Sequence, residues 1–259
     1  MKAKTMRSTL FIVGTGPGDP ELLTIKAVNT INSCPAVAAP KGSKNGSSTA
    51  LSIVKQAVDV SEKDVFELYF PMKKVRLGER PHPEIEAAWQ EAAETILAML
   101  DAGKDVVFPT LGDPAIYSTG YYLYETICSL REDVQVEFVS GISAMSSCSA
   151  STATPVCLGD DLLAVVPATF SEERLRKALL EYDAIVLMKV HRVMDRVCRL
   201  LRETGLTSNA VYVEKAGMSD QRIIDDLSKV PENPHYFSTI IVRKREGAAV
   251  QLQQIATAA

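Results

Sequence analysis

An α/β fold with largely parallel strands is predicted by two features of this sequence. Short β-branched runs alternate with longer amphipathic segments along most of the chain. Glycine-bearing turns stand between a strand and a helix at positions 14–20, 109–114 and 140–144. The bulk composition, 46% apolar and 23% charged over 259 residues, is that of a globular protein with a substantial core.

The elements follow in order. Leu10–Val13 is the first expected strand and Glu21–Ser33 the first helix, with Asp19 as its cap and Pro20 at its first position. Val37–Ala39 and Val65–Leu68 read as strands, then Pro83–Ala102 as a long helix stopped by Gly103. Asp105–Phe108, a helix around Ala115–Leu130, strand Val134–Val139 and a small-residue helix around Ser143–Ala153 complete the first half. Pro155–Asp161 combines proline, glycine and acidic residues, so the domain boundary is placed there: 1–156, 157–246, and a tail at 247–259. The second half reads strand Leu162–Val166, helix Glu172–Glu181, strand Ala184–Met188, helix Val193–Thr204, then strands Ala210–Glu214 and Phe237–Arg243, with room for antiparallel pairs. No fixed-period repeat is visible.

Charge and cysteine usage narrow the function classes. Lys+Arg 28 against Asp+Glu 32 gives a net charge of −4, which speaks against a basic nucleic-acid face. Aromatic residues, at 6%, are too sparse for a base-stacking platform. Cys34, Cys128, Cys148, Cys157 and Cys198 are odd in number and form no CxxC pair, so reduced, mostly buried thiols are expected rather than a disulfide framework or zinc site. Leu10–Val13 is too short for a signal-peptide core and no stretch reaches membrane-span length, so a cytoplasmic protein is expected.

The first turn, Gly14-Thr15-Gly16-Pro17-Gly18-Asp19-Pro20, has the position of a dinucleotide fingerprint but not its spacing, because Asp19 stands where the third glycine belongs. Pro17 lacks an N–H, and no Gly-Lys-Ser/Thr follows, so a phosphate cradle is also disfavoured. Taken alone, the segment is a tight strand-to-helix turn. Thr110-Leu111-Gly112-Asp113-Pro114 then repeats the Gly-Asp-Pro order after another strand. In open α/β sheets such turns line the ligand crevice. Asp113 has two readings, a helix cap or a carboxylate that meets a cation or ribose hydroxyls, and capping alone predicts that asparagine would substitute well.

GTGPGDPELLT at 14–24, PTLGDP at 109–114 and SGISA at 140–144 together resemble the tetrapyrrole methylase family, over nearly the whole chain. PELLTIKAV at 20–28, FPM at 70–72, FPTLGDPAIYST at 108–119 and VEKAG at 213–217 are most similar to those members that methylate precorrin-2 or cobalt-factor II at C-20. The resemblance implies two α/β domains with the active-site trough between them, a homodimer, and S-adenosylmethionine as methyl donor. Position by position it implies donor contacts at Pro17, Leu111, Gly112, Asp113, Ile116, Tyr117, Ser143 and Ala144, and in the second domain at Lys189, Ala216 and Thr239. One departure stands out: relatives acting on uroporphyrinogen carry an aspartate after the second strand, where this chain reads Ala38-Ala39-Pro40-Lys41. No catalytic base is assigned.

A polycarboxylate substrate needs local cations in an acidic protein. Lys41 and Lys44 follow the second strand, and Lys73, Lys74, Arg76 and Arg80 crowd one expected loop; Lys41, Lys44, Arg76 and Arg80 are the substrate-binding candidates. The competing reading of such a run is a solvated face. His82, between prolines, is expected to be exposed, and His191 follows a strand of the second domain. No metal-ligand spacing occurs, so no protein-bound metal is expected. Nucleic-acid and membrane partners are not expected. The remaining alternatives are another methyltransferase of the family or a non-catalytic tetrapyrrole carrier.

Overall fold

Every strand of the first sheet places alternate side chains on opposite faces, and both faces are covered. The computed structural model describes residues 8–71 and 80–244. The chain divides into two compact units, the first ending at Ser143 and the second beginning at Ala144.

The first unit holds strands β1 (Thr9–Gly14), β2 (Ala36–Lys41), β3 (Asp64–Tyr69), β4 (Val106–Thr110) and β5 (Gln135–Val139), all paired in parallel in the order β3-β2-β4-β1-β5. Leu10, Ile12, Ala36, Ala38, Val106 and Phe108 face α3 (Pro83–Asp101) and α4 (Gly120–Leu130). Val13, Val37, Ala39, Val107 and Val139 face α1 (Ile25–Ser33) and α2 (Thr49–Ala57). This alternation on a doubly covered sheet explains why the central strands β1, β2 and β4 read as continuous apolar runs, while the edge strands β3 and β5 keep charged residues. The β2–β4 ladder ends after Ala36–Val106 and Val37–Val107; Pro40 and Pro109, which lack an N–H, lie beyond it.

In the second unit α5 (Ala144–Thr152) precedes β6 (Leu163–Pro167), α6 (Glu172–Glu181), β7 (Ala184–Met188), α7 (Met194–Glu203), β8 (Ala210–Glu214), β9 (Arg222–Ile224) and β10 (Ser238–Arg243). The sheet order is β6-β7-β10-β8-β9, with only β6 and β7 parallel. Ala210, Tyr212, Ile240 and Val242 pack with α6 and α7, while Val211, Val213 and Ile241 pack with Cys148 of α5.

Four expectations need correction. The helix expected over Glu21–Ser33 is interrupted: a 3-10 turn at Pro20–Leu22 ends, and Thr24 caps α1 by accepting from the Ala27 N–H at 3.1 Å. Helix α2 was not expected, because its start is polar; Ser48 caps it and Ala50, Leu51, Ile53 and Val54 supply its buried side. Helix α4 begins at Gly120 rather than near Ala115. The division falls ahead of 156, because α5 packs on the second sheet and Pro155–Asp161 is pinned there too: Arg243 pairs with Asp161 at 2.6 Å and donates to the Pro155 carbonyl. The tail at 247–259 lies outside the described residues.

Candidate functional site

In the first unit all five parallel strands end at one edge, so the turns after β1, β4 and β5 are neighbours. They are joined backbone to backbone. Gly16 and Gly112 exchange hydrogen bonds in both directions, at 3.2 and 2.8 Å, and the Thr15 N–H and hydroxyl both donate to the Thr110 carbonyl. The amides of Gly16 and Gly112 are thus spent on each other, which removes them from any anion cradle.

The third turn joins through Gly141. A Cβ on Gly14 would lie 2.7 Å from the Gly112 carbonyl oxygen and from the Gly141 Cα, and a Cβ on Gly141 would lie 2.8 Å from the Gly14 Cα. Gly112 differs. It is buried with φ +74°, yet a Cβ there would meet only the Ile142 carbonyl oxygen, at 4.0 Å. Space therefore remains beside Gly112, a cradle that a side chain would fill.

Asp113, next to Gly112, holds two backbone amides. Its Oδ1 accepts from the Ala115 N–H at 2.7 Å and its Oδ2 from the Gly141 N–H at 2.9 Å. Pro17 is buried beside the Gly16–Gly112 bridge, Leu111 packs against the cluster containing Val13 and Val139, and the Ile116 N–H donates to the Asp113 carbonyl. Tyr117 is exposed and holds φ +50°, a strained conformation for an aromatic residue. Ser143 is buried on the third turn and Ala144 opens α5.

In the second unit, Lys189 follows β7 with φ +59° and ψ +41°, and burial pushes its amine below the usual lysine range. Thr239 is buried on β10 between Met188 of β7 and Val213 of β8, and bonds to Cys148. Ala216 is buried in the same apolar cluster as Cys148. The chain thereby gathers Lys189, Ala216 and Thr239 at one end of the second sheet.

A sequence profile of the Tetrapyrrole (Corrin/Porphyrin) Methylases matches residues 9–231. The chain belongs to the tetrapyrrole methylase family. It is 33% identical to a cobalt-precorrin-2 C(20)-methyltransferase of Salmonella typhimurium, over 93% of this chain and 98% of the relative. A precorrin-2 C(20)-methyltransferase of Sinorhizobium sp is likewise 33% identical, over 89% and 93%. Among solved structures, the uroporphyrin-III C-methyltransferase of Thermus thermophilus in complex with S-adenosyl homocysteine is similar in fold, with TM-score 0.64 and 19% identity over 95% of this chain and 94% of that one.

Other expected positions of this methylase fall as follows. Lys41 ends β2 in register with Tyr69, and Lys44 sits 5.6 Å from the Tyr69 ring centroid, so these two lysines share one aromatic neighbour. Arg80 is exposed; Lys73, Lys74 and Arg76 lie outside the described residues. His82 is 65% exposed by side chain, as its flanking prolines suggest. Cys34 and Cys148 are buried, and desolvation pushes their thiols up to about 11 and about 12; Cys128 and Cys198 are half-buried and Cys157 is exposed, so full burial holds for two of the five thiols rather than for most. Among the described residues there is no group of three or more His, Cys, Asp or Glu arranged to hold a metal, and no helix long and apolar enough to cross a membrane.

Sequence reasoning missed Glu214. It is 2% exposed and accepts from the Tyr212 hydroxyl at 2.6 Å, from the His235 N–H at 2.8 Å and from Arg222. Its only local signal was a carboxylate ending an otherwise apolar strand, Ala210–Glu214.

Proposed function

We propose that this chain transfers a methyl group from S-adenosylmethionine to the C-20 meso carbon of precorrin-2, or of its cobalt form, in cobalamin biosynthesis. The observation that carries this reading is the 33% identity to a cobalt-precorrin-2 C(20)-methyltransferase spanning 98% of that relative. The open space at the Cβ position of Gly112, with the Ile142 carbonyl oxygen 4.0 Å away, supports it as a place for the donor.

When bound, the sulfonium supplies an electrophilic methyl group. Pro17, Leu111, Gly112, Ile116, Tyr117, Ser143 and Ala144 would hold that donor from the first unit, and Lys189, Ala216 and Thr239 from the second. Asp113 acts one step back, by fixing the turn that carries Ser143. Lys41 and Lys44 would meet substrate carboxylates as cations at the C-terminal end of β2. The meso carbon of a reduced tetrapyrrole is electron-rich, so positioning and exclusion of water count for more than an added acid. The Ala38–Lys41 segment supplies no carboxylate for base duty.

Incubation with S-adenosylmethionine and each tetrapyrrole, followed by mass measurement and carbon NMR, should show one methyl gained at C-20. No methyl gain on either substrate would refute the reading. A cytoplasmic homodimer belongs to the same proposal, and light scattering that reports a monomer at micromolar concentration would remove the dimer from it.

A further inference from the structure

The second unit carries a group of donors that the donor-binding positions leave unused. β7 ends at Met188, and the chain turns through Lys189 into a 3-10 turn at Val190–Arg192. Val190 is fully buried in the second core and anchors that turn, leaving His191 half-buried and Arg192 exposed at the end of the sheet. β10 runs antiparallel to β7, so the residues just before it arrive at the same end, and the Tyr236 ring meets the His191 ring edge to face at 5.0 Å.

The properties of this group suit it to an anion. The His191 Nδ1 is buried and has no hydrogen-bond partner. An unpaired N–H is rarely left buried, so the neutral ring carries its proton on Nε2 and presents a donor there. Desolvation, together with the charges of Arg192 and His235, holds the imidazole below the usual histidine range, so it stays neutral at neutral pH. Burial pushes the Tyr236 phenol upward, so it keeps its O–H, while its ring stays 44% exposed. The charged or titratable groups acting on these two rings are Arg192 and His235, both basic. Among the described residues no carboxylate pairs with Arg192.

We propose that Arg192, His191 and Tyr236 form a carboxylate-recognition subsite for the tetrapyrrole: Arg192 binds one carboxylate in its planar fork, His191 Nε2–H and the Tyr236 hydroxyl donate to it, and the Tyr236 ring carries the flat pyrrole face. This rests on the tetrapyrrole reading above. It adds a cationic site in the second unit to the lysines of the first.

Uroporphyrin I, a tetrapyrrole polycarboxylate that cannot be methylated at a reduced meso carbon, serves as the probe, titrated into the full chain by fluorescence. S-adenosylhomocysteine is titrated in parallel by calorimetry. Arg192→Ala should weaken uroporphyrin binding about tenfold, Arg192→Lys should recover part of it, and Tyr236→Phe should weaken it about threefold. Affinity for S-adenosylhomocysteine should stay within about twofold. Wild-type protein that binds uroporphyrin no better than Arg192→Ala does would overturn the subsite alone. Parallel weakening of S-adenosylhomocysteine would overturn it too, by placing these side chains against the donor. Wild-type protein that binds no uroporphyrin would sink the tetrapyrrole reading, and the subsite with it.

Discussion

The Asp113 carboxylate accepts the Gly141 N–H at 2.9 Å, and so ties the turn after β4 to the turn after β5. Its second oxygen accepts the Ala115 N–H at 2.7 Å. A cap uses one carboxylate oxygen; this residue uses two, on two different turns. The Gly-Asp-Pro sequence at 112–114 therefore differs in role from the one at 18–20, where Asp19 Oδ1 accepts the local Glu21 N–H.

Asp113→Asn should consequently be costly. Asparagine keeps one acceptor and turns an NH2 toward the other N–H, leaving two donors facing each other. Loss of one charge-assisted bond at this partly exposed place should cost about 1–2 kcal/mol of stability, with S-adenosylhomocysteine binding weakened alongside. Asp19→Asn is the matched control, since asparagine caps as well as aspartate, and should stay within about 0.5 kcal/mol. Urea unfolding of both variants makes the comparison; equal midpoints would reduce Asp113 to a cap.

Gly141→Ala tests the packing of the three turns. The new methyl would collide with the Gly112 carbonyl oxygen and the Gly14 Cα, which are backbone atoms with no rotamer to escape into. Overpacking of this kind should cost about 2–3 kcal/mol. Gly42→Ala, where nothing lies within 4 Å of the added Cβ, should be near neutral. A Gly141→Ala protein with the melting temperature of Gly42→Ala would contradict the contact.

How much of this was legible in the sequence depends on the range of the interaction. The central strands β1, β2 and β4 were readable because each is a local apolar run, β5 because apolar and polar residues alternate along it, and Glu172–Glu181 because Ser171 caps it and Leu175, Ala178 and Leu179 recur on one face. The Asp113–Gly141 bond joins residues 28 positions apart, and no local pattern announces it. Pro155–Asp161 has linker composition, yet Arg243, from the last strand, reaches back and buries its guanidinium against Asp161. Composition cannot report that pairing. Gly14 and Gly141 let backbones touch, whereas Gly112 leaves open space at its Cβ position, a difference between glycines that the sequence does not carry. The resemblance pointed to VEKAG, but the partner that fixes the Glu214 oxygen, the His235 N–H, comes from 21 positions away.

Glu214 yields the pH prediction. Burial by itself would raise its carboxyl, but hydrogen bonds from Tyr212, the His235 N–H and Arg222, with the charge of Arg222, outweigh burial and hold it below the ordinary value of 4.5. A carboxyl whose folded pKa lies below its unfolded one contributes stability that is complete above the unfolded value. That contribution is lost as pH falls through the folded value. Glu214→Gln removes the charge while keeping the shape, leaving Arg222 without its partner and one buried donor without an acceptor. The variant should be less stable by about 2–3 kcal/mol at neutral pH. That deficit should hold steady down to roughly pH 5, then shrink as the wild-type carboxyl takes up its proton below 4.5. Other acids titrate alike in both proteins and cancel in the difference. Urea midpoints taken from neutral to acid pH check this. A deficit that stays constant through the acid range would mean that Glu214 contributes by shape alone, and a deficit that grows toward acid would reverse the sign of its shift.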